Sequence, residues 1–280
     1  MEVKTFKHVS YLWDFNEANK FHSDEVGLFL YRSNKLGEDL RITNYGGGNT
    51  SCKTIETDPL TGEEVEVMWV KGSGGDIGTL TRQGIAGLYT TKLRHLKNVY
   101  RGLEYEDEIV PLYYHCLYDL ESRAPSIDTA LHGLLPFKHI DHLHPDALIA
   151  IAAAEDGEAI TKEIWGEKMG WVPWQRPGFD LGLQLEKCLE ENPGIRGIVL
   201  GGHGLFTWGD TSYECYMNSL EVIETASEYI VAHEGKDRPV FGGANMESLS
   251  KEARLSQADK LAPILRGLCS SENRKIGHFT

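Results

Sequence analysis

The chain has 280 residues, of which 41% are hydrophobic, so it can bury a substantial core as one large domain or two smaller ones. Its 42 Asp and Glu against 28 Lys and Arg give a formal charge of −14, which opposes binding to nucleic acid or an anionic membrane. Five scattered cysteines without a C-x-x-C pair, no membrane-length apolar run and no signal region in "MEVKTFKHVSYLWDF" predict a cytoplasmic protein with reduced thiols.

The first half of the chain opens with a helical pattern. The spacing of apolar residues over 16–39 predicts a helix that ends near Gly37. Residues 41–57 predict a strand, a glycine loop and another strand, and after the turn "DPLTG" the alternating "EVEVMWVKG" predicts the second strand of a hairpin. Residues 81–100 and 107–120 are predicted as helices.

Strands and helices then alternate. A strand is predicted over 138–144. Pro145 and Asp146 then start an apolar helix, which Gly157 stops. A further helix covers 179–192 and ends before a proline.

Two short strands, 197–202 and 205–209, precede a long helix over 212–235 that is capped by Asp210 or Thr211. The interleaving of elements predicts an α/β domain with a mixed sheet, because one hairpin is expected in it. The polar, glycine-rich chain that follows, with its last helix, is interpreted as a tail or docking segment.

A histidine-rich strand raises the question of a metal site. Residues two apart in a strand point to the same face, so His142 and His144 project together while Asp141 and Leu143 point the other way. Two imidazoles in this arrangement are a natural pair of metal ligands. The best third candidate is His203, because the glycines around it let the backbone approach closely. Three histidines with an open position are the pattern of a catalytic zinc site.

The alternative is that H-x-H is a hydrogen-bonded feature of the surface or core, and this interpretation stays open on the sequence alone. His132 and His139 fit that structural interpretation better than a ligand role.

Two glycine loops, 44–51 and 70–78, expose backbone N–H groups that can hold an anion. Neither matches a Walker A or dinucleotide fingerprint, so each is also compatible with an ordinary turn. In "RAPSIDTALHGLL", Ser126 and Asp128 come shortly before the histidine strand, where a carboxylate near a metal-bound carbonyl compound can act as acid and base. The alternative is that either residue caps the following helical turn.

These motifs together resemble the class II aldolase/adducin family. Its pattern is a G-N-[TV]-S loop, a [TS]-G loop, a P-S-x-[ED] segment, an H-x-H pair and a later H-G. All five occur here in that order: Gly48-Asn49-Thr50-Ser51, Ser73-Gly74, Pro125-Ser126-Ile127-Asp128, His142-Leu143-His144 and His203-Gly204. The resemblance covers residues 20–280. The stretches "PSIDTALHGLLPFKHIDHLHPDA", "EIWGEKMGWVPWQRPGFDLG" and "GGHGLFTWGDTSYECY" are similar to the aldolase half of bifunctional rhamnulose-1-phosphate aldolase/alcohol dehydrogenases.

The resemblance implies a three-layer fold with a central mixed, mainly antiparallel sheet flanked by helices. It implies a class II aldolase domain over 1–235 and a C-terminal tail or linker over 236–280. The expected activity is zinc-dependent cleavage of a ketose 1-phosphate, L-rhamnulose 1-phosphate, to dihydroxyacetone phosphate and L-lactaldehyde. The resemblance also implies a homotetramer, and cobalt or manganese fits three histidines as well as zinc does.

Carried over to this chain, the family's site residues assign the metal to His142, His144 and His203, the acid/base role to Asp128, and the substrate phosphate to Asn49, Ser73, Gly74 and Ser126. Two positions depart from the family. Asp128 stands where the family usually has Glu, which is one methylene longer, and Ile127 stands where some members have a second serine.

Three alternatives stay open at this point. A phosphosugar epimerase or dehydratase would use the same ligands with different acid/base groups. An adducin-like interaction domain would be non-catalytic, against which the intact histidine set argues. The chain also has no dinucleotide fingerprint of a dehydrogenase domain. This is expected either for a stand-alone relative or for a fragment without its dehydrogenase domain.

Overall fold

A computed structural model describes residues 5–43, 47–234 and 247–270. The contacts divide the chain into two units, 1–232 and 233–280, and nearly all of the regular structure belongs to the first. The described part of the second unit contains the helix Lys251–Cys269, with Ser250 capping its first turn. The predicted boundary at residue 235 lies, with residues 236–246, outside the described residues and stays a prediction.

A mixed sheet forms the centre of the first unit. Its strands, in chain order, are β1 Asn49–Thr57, β2 Glu64–Lys71, β3 Ile85–Tyr89, β4 His139–Leu143, β5 Gly170–Val172, β6 Gly197–Leu200 and β7 Gly204–Gly209. They lie in the order β3-β2-β1-β4-β7-β6-β5. Only β5 and β6 pair in parallel, so the expectation of a mixed, mainly antiparallel sheet is confirmed.

Helices cover both faces of this sheet. They are α1 Phe15–Ala18, α2 Glu25–Gly37, α3 Thr90–His95, α4 Thr129–Leu134, α5 Asp146–Ala152, α6 Gly157–Trp165, α7 Phe179–Glu191 and α8 Ser212–His233. Leu143 of β4 and Leu205 of β7 pack in one apolar cluster with residues of α2, α5 and α8. Ile140 and Phe206 of the same two strands pack in another cluster with residues of α4 and α7. Alternation along each strand thus separates two buried layers, which confirms the three-layer expectation.

The largest errors of the sequence prediction fall between residues 81 and 120. The predicted helix over 81–100 is instead the strand β3 followed by the short α3, because the fully buried segment Ile85–Tyr89 pairs with β2 along its whole length. The predicted helix over 107–120 is a pair of 3₁₀ segments, Leu103–Glu108 and Val110–Cys116. Pro111 lies in the first turn of the second segment.

Smaller differences have local causes. The helix predicted over 16–39 is interrupted, and Asp24 caps a new start at Glu25 by accepting from the Gly27 N–H. Residues 41–43 form a turn and not a strand, whereas residues 44–46 lie outside the described residues. Gly157 begins α6 and does not end the preceding helix, which stops at Ala152.

The start of α8 shows why Thr211 and not Asp210 is the cap. The Thr211 hydroxyl accepts a hydrogen bond from the Glu214 N–H, and the Glu214 carboxylate accepts one from the Thr211 N–H. This reciprocal pair is a capping box. Further along α8, the Glu224 carboxylate accepts from three consecutive backbone N–H groups, those of Lys7, His8 and Val9, and so holds the N-terminal segment against the helix.

Three residues on one face of β1 form hydrogen bonds with α4 and with the segment that follows it. Asn49 contacts Asp128 at the start of α4, and Ser51 bonds to the ring of His132 in its middle. Lys53, almost fully buried, donates from Nζ to the carbonyls of His132, Leu135 and Phe137 at its end, over 3.2, 2.6 and 2.7 Å. Because these contacts come from residues two apart on one strand, β1 sets where α4 lies over the sheet.

Replacing Lys53 with methionine is expected to lower the free energy of unfolding by about 2 to 4 kcal/mol, because three buried carbonyls lose their donor. Burial lowers the pKa of Lys53 from its ordinary 10.5 to about 7. The unfolded chain therefore keeps this proton to higher pH than the folded one, and the contribution of Lys53 to stability rises with pH between the two values.

Urea unfolding between pH 7 and 9 tests both expectations. The wild type should gain stability relative to Lys53→Met as the pH rises, whereas the exposed variant Lys162→Met should match the wild type. Equal stability of Lys53→Met and wild type would contradict a stabilising role for the three hydrogen bonds of Lys53.

Among the described residues, no helix combines the length and apolar character that a membrane crossing requires.

Candidate active site

Three histidines meet at one end of the central strands. His142 lies in β4, His144 directly follows that strand, and His203 lies in the tight turn between β6 and β7. One ring nitrogen of each comes within 4.8 Å of the others. The Nε2 atoms of His142 and His144 are 3.1 Å apart. The pairing of β4 with β7 thus brings together the three residues that the sequence singles out.

Glycines make this approach possible. Gly202 has φ +63°, a left-handed conformation that the turn before His203 requires. A Cβ on Gly204 would lie 2.6 Å from the carbonyl oxygen of Leu143 and 2.8 Å from Cδ2 of His144. A side chain at position 204 would therefore push the His203 turn away from the histidine strand.

His142 is held in one tautomer and one orientation. Its Nδ1 lies 3.0 Å from the carbonyl oxygen of Leu205, which can only accept, so Nδ1 carries the hydrogen. Its ring stacks on Phe206, with 4.4 Å between centroids and 12° between planes. The lone pair is consequently on Nε2, the atom that faces His144. A backbone carbonyl behind a histidine is a common device for orienting a metal ligand.

The electrostatics favour neutral rings. Burial lowers the pKa of His142 well below its ordinary value, and the neighbouring His144 and His203 lower it further. Burial also lowers the pKa values of His144 and His203. Neutral imidazoles offer lone pairs to a cation, and two ligands bonded tetrahedrally at about 2.0–2.1 Å would lie roughly 3.3 Å apart. The donor set and the 3.1 Å separation therefore fit a divalent metal ion.

Asp128 lies beside this cluster at the start of α4. Its side chain makes no capping bond to the helix, so the interpretation of Asp128 as a simple cap is wrong. Its Oδ2 instead accepts from Nδ2 of Asn49 over 2.8 Å. Burial raises the pKa of Asp128, while the charges of His203 and Lys71 act in the opposite direction. A buried carboxyl with a raised pKa is suited to carrying a proton.

Lys71 completes the support of Asp128. Its Nζ donates to Oδ1 of Asn49 over 3.3 Å, and Nδ2 of the same amide donates to Oδ2 of Asp128. Because an ammonium only donates and a carboxylate only accepts, the two contacts fix the orientation of the Asn49 amide. Asn49 also pairs with His142 in the register of β1 and β4. One residue therefore connects the carboxylate to the histidine strand.

The four residues predicted to hold phosphate fall into two pairs. Asn49 and Ser126 are within 3.2 Å of each other and share the surroundings of Asp128. Ser73 and Gly74 are exposed, and the Ser73 N–H donates to the carbonyl of Ala124, so this N–H is already used within the loop. The proposed phosphate role of all four stays a prediction.

Lys71 and Arg123 are two residues of this region that the sequence reasoning missed. Lys71 ends an alternating strand at a buried position, directly before a glycine loop, and that lysine was the signal available in the sequence. Arg123 lies two residues before the P-S-I-D segment with no glycine near it, so only the fold brings it to the loop. His132 and His139, in contrast, lie outside the cluster, and each bonds to another buried residue, Ser51 and Arg32 respectively.

The comparison with known families agrees with this geometry. Residues 30–230 match the model of the class II aldolase and adducin N-terminal domain. The chain belongs to the class II aldolase/adducin family. Membership supports a lyase-type enzyme, and class II aldolases are generally metal-dependent, in accord with the histidine cluster.

Relatives extend over most of the chain. An uncharacterized oxidoreductase, YuxG of Bacillus subtilis, is 39% identical over 268 residues, which are 96% of this chain and 38% of that protein. The chain therefore spans well under half the length of this curated relative.

Solved structures share the fold. The N-terminal class II aldolase domain of a conserved Thermoplasma acidophilum protein is 29% identical with a TM-score of 0.69, over 81% of this chain and 100% of that one. A sugar-phosphate aldolase from Thermotoga maritima is 15% identical with a TM-score of 0.55, over 79% of this chain and 99% of that one. The second likeness is one of fold alone.

Proposed function

We propose that this class II aldolase/adducin family member is a zinc-dependent aldolase that cleaves a ketose 1-phosphate, L-rhamnulose 1-phosphate, to dihydroxyacetone phosphate and L-lactaldehyde. The observation that carries the proposal is the half-buried Asp128, held by Asn49 beside three converging histidines. A binding module has no use for a half-buried carboxyl with a raised pKa next to a set of candidate metal ligands.

His142, His144 and His203 would hold the ion, which when bound supplies Lewis-acid stabilisation of the negative charge that develops on the substrate. The reaction breaks the C3–C4 bond of the ketose. The C4 hydroxyl passes its proton to the Asp128 carboxylate as the aldehyde forms, and the electron pair of the broken bond passes into an enediolate of dihydroxyacetone phosphate. Asp128 returns a proton to C3 of that enediolate, and Asn49 and Lys71 orient its carboxyl.

The phosphate would lie against the loop that contains Ser73 and Gly74, with Asn49 and Ser126 at its inner end. Gripping the phosphate fixes the orientation of the reacting carbons and lowers the entropic part of the barrier. The homotetramer and the cytoplasmic location belong to the same proposal.

Metal analysis joined to a cleavage assay tests the function. About one zinc per chain, and release of dihydroxyacetone phosphate from rhamnulose 1-phosphate that stops on chelation, are expected. Fuculose 1-phosphate serves as the competing ketose, and ribulose 5-phosphate detects epimerisation. Metal without cleavage would favour an epimerase or dehydratase. A purified protein that takes up no metal would leave an adducin-like interaction domain.

Replacing Asp128 with asparagine is expected to lower kcat about 10²- to 10³-fold, because the proton carrier is lost while the shape is kept. The same change should stabilise the metal-free protein at pH 7. A carboxyl whose folded-state pKa is raised contributes stability at low pH that is lost as the pH rises through that pKa.

The matched control is Asp107→Asn, which removes an exposed carboxylate. It should change neither kcat nor the urea midpoint. An Asp128→Asn enzyme with wild-type kcat would remove Asp128 from the mechanism.

A further inference from the structure

Arg123 lies directly on the glycine loop of residues 72–75. A Cβ on Gly72 would meet Cγ of Arg123 at 2.9 Å, and one on Gly74 would lie 3.2 Å from Nη2. Nε of Arg123 donates to the carbonyl oxygen of Ser73 over 2.6 Å. The loop has no side chain at 72 or 74, and the arginine stem and guanidinium occupy the space that those side chains would need.

Arg123 also differs from the other arginines in its charge partners. Within the described part of unit 1–232, every other arginine has a carboxylate oxygen within 4.0 Å, and Arg123 alone has none. Its one contact to Ser73 uses Nε and leaves the outer nitrogens of the fork available. The guanidinium of Arg123 therefore has no carboxylate to neutralise it, although the chain has a net charge of −14.

A second cation, Lys71, precedes the same loop. Burial lowers the pKa of Lys71, the carboxylates of Asp128 and Asp76 act in the opposite direction, and the charge of Arg123 lowers it by a smaller effect, so the two cations lie within electrostatic range of each other. The nearest acidic group along the loop, Asp76, turns back to accept from the Gly78 N–H over 2.7 Å. A cavity of about 200 Å³ lies beside Arg123, Gly74 and Gly75, and Asp76 also lines it.

Because Lys71 already has Asp128 and Asp76 as neighbours, the guanidinium of Arg123 is the cation at this loop that is left for an external anion. A guanidinium fork matches the oxygens of a phosphate in a bidentate way, which an ammonium cannot do. We propose that Arg123 binds the phosphate of the substrate and is the residue by which this protein selects a phosphorylated over an unphosphorylated ketose. The inference rests on the proposed function and names a residue that deepens it.

The test compares the wild type with Arg123→Met, which keeps the stem, and Arg123→Lys, which keeps the charge without the fork. Arg101→Met, the loss of an exposed arginine paired with Glu108, is the control. KM and kcat are measured for rhamnulose 1-phosphate and for unphosphorylated L-rhamnulose. Arg123→Met should raise KM for the phosphate ester about 10- to 100-fold, with kcat changed less than about threefold and the unphosphorylated ketose unaffected. Arg123→Lys should lie between.

If Arg123 only supports the loop, Arg123→Met should impair the cleavage of both ketoses equally. That result would overturn the inference, and so would wild-type KM values in Arg123→Met. Calorimetric titration with inorganic phosphate tests the assignment of Arg123 independently of the proposed aldolase activity. If the wild type cleaves no ketose phosphate but binds phosphate, and Arg123→Met does not, Arg123 is upheld although the aldolase is not. Equal phosphate binding by both proteins, or none by the wild type, would overturn the assignment of Arg123.

Discussion

Replacing His142 with alanine is expected to lower the rate of cleavage about 10⁴-fold, because Lewis-acid stabilisation on the order of 5 kcal/mol is lost with the metal. His142 is the most buried of the three histidines and the one whose tautomer is set by a backbone carbonyl. Metal content by mass spectrometry should fall with the activity.

A second variant in the histidine cluster and a control outside it accompany His142→Ala. His144→Asn alters a half-buried ligand with less effect on the core and should also lose the metal. His115→Ala changes an exposed histidine outside the cluster and should keep both metal and activity. A His142→Ala protein that folds, binds one metal per chain and cleaves at the wild-type rate would show that the cluster is not the catalytic centre.

Replacing Asp141 with alanine is expected to lower the free energy of unfolding by about 3 to 5 kcal/mol. Asp141 and Arg32 form an ion pair of 3.0 Å in which both side chains are fully buried. Ser219 and Cys215 also donate to the carboxylate of Asp141. The variant leaves the Arg32 guanidinium buried without a counter-charge, which is the costly part of breaking such a pair.

A double-mutant cycle in urea measures this effect. Arg32→Met with Asp141→Leu should recover much of the stability lost in either single variant, since both charges are then absent. Strict additivity of the two single losses would contradict direct coupling, and a stable Asp141→Ala would contradict the importance of the pair.

The two predictions concern opposite faces of one strand. His142 points to the α4 and α7 side with Phe206, while Asp141 points to the α2 and α8 side, where Arg32 and Ser219 are its partners. The ion pair therefore holds one face of β4, while His142 of the histidine cluster projects from the opposite face. We expect that weakening the network also loosens the histidine cluster.

Much of the candidate site was accessible from the sequence because its signals are local. Period-two alternation places His142 and His144 on one side whatever else the chain does. The glycines around His203 indicate a close approach, and Gly204 is indeed tightly packed against Leu143 and His144. The hairpin of β1 and β2 and the helices α7 and α8 follow equally from alternation, turn residues and caps.

The remaining features depend on partners far away in the chain. Ile85–Tyr89 is a short apolar run that suits either a helix or a strand, and only pairing with β2 decides for the strand. β5 was missed for the same reason, since its three residues are defined by β6. A propensity is worth a few tenths of a kcal/mol per residue, so pairing and burial override it.

By itself, the sequence determined which residues are the candidates for the chemistry: three histidines, the carboxyl of Asp128 and two glycine loops on an acidic chain. Only the tertiary structure decided how they are held. It aligned Asn49 with His142, turned the Asp128 side chain away from its helix and joined it to Lys71 through Asn49. The physical reason is that residue type fixes what a group can donate or accept, whereas strand register and burial fix which group it meets and at what pKa.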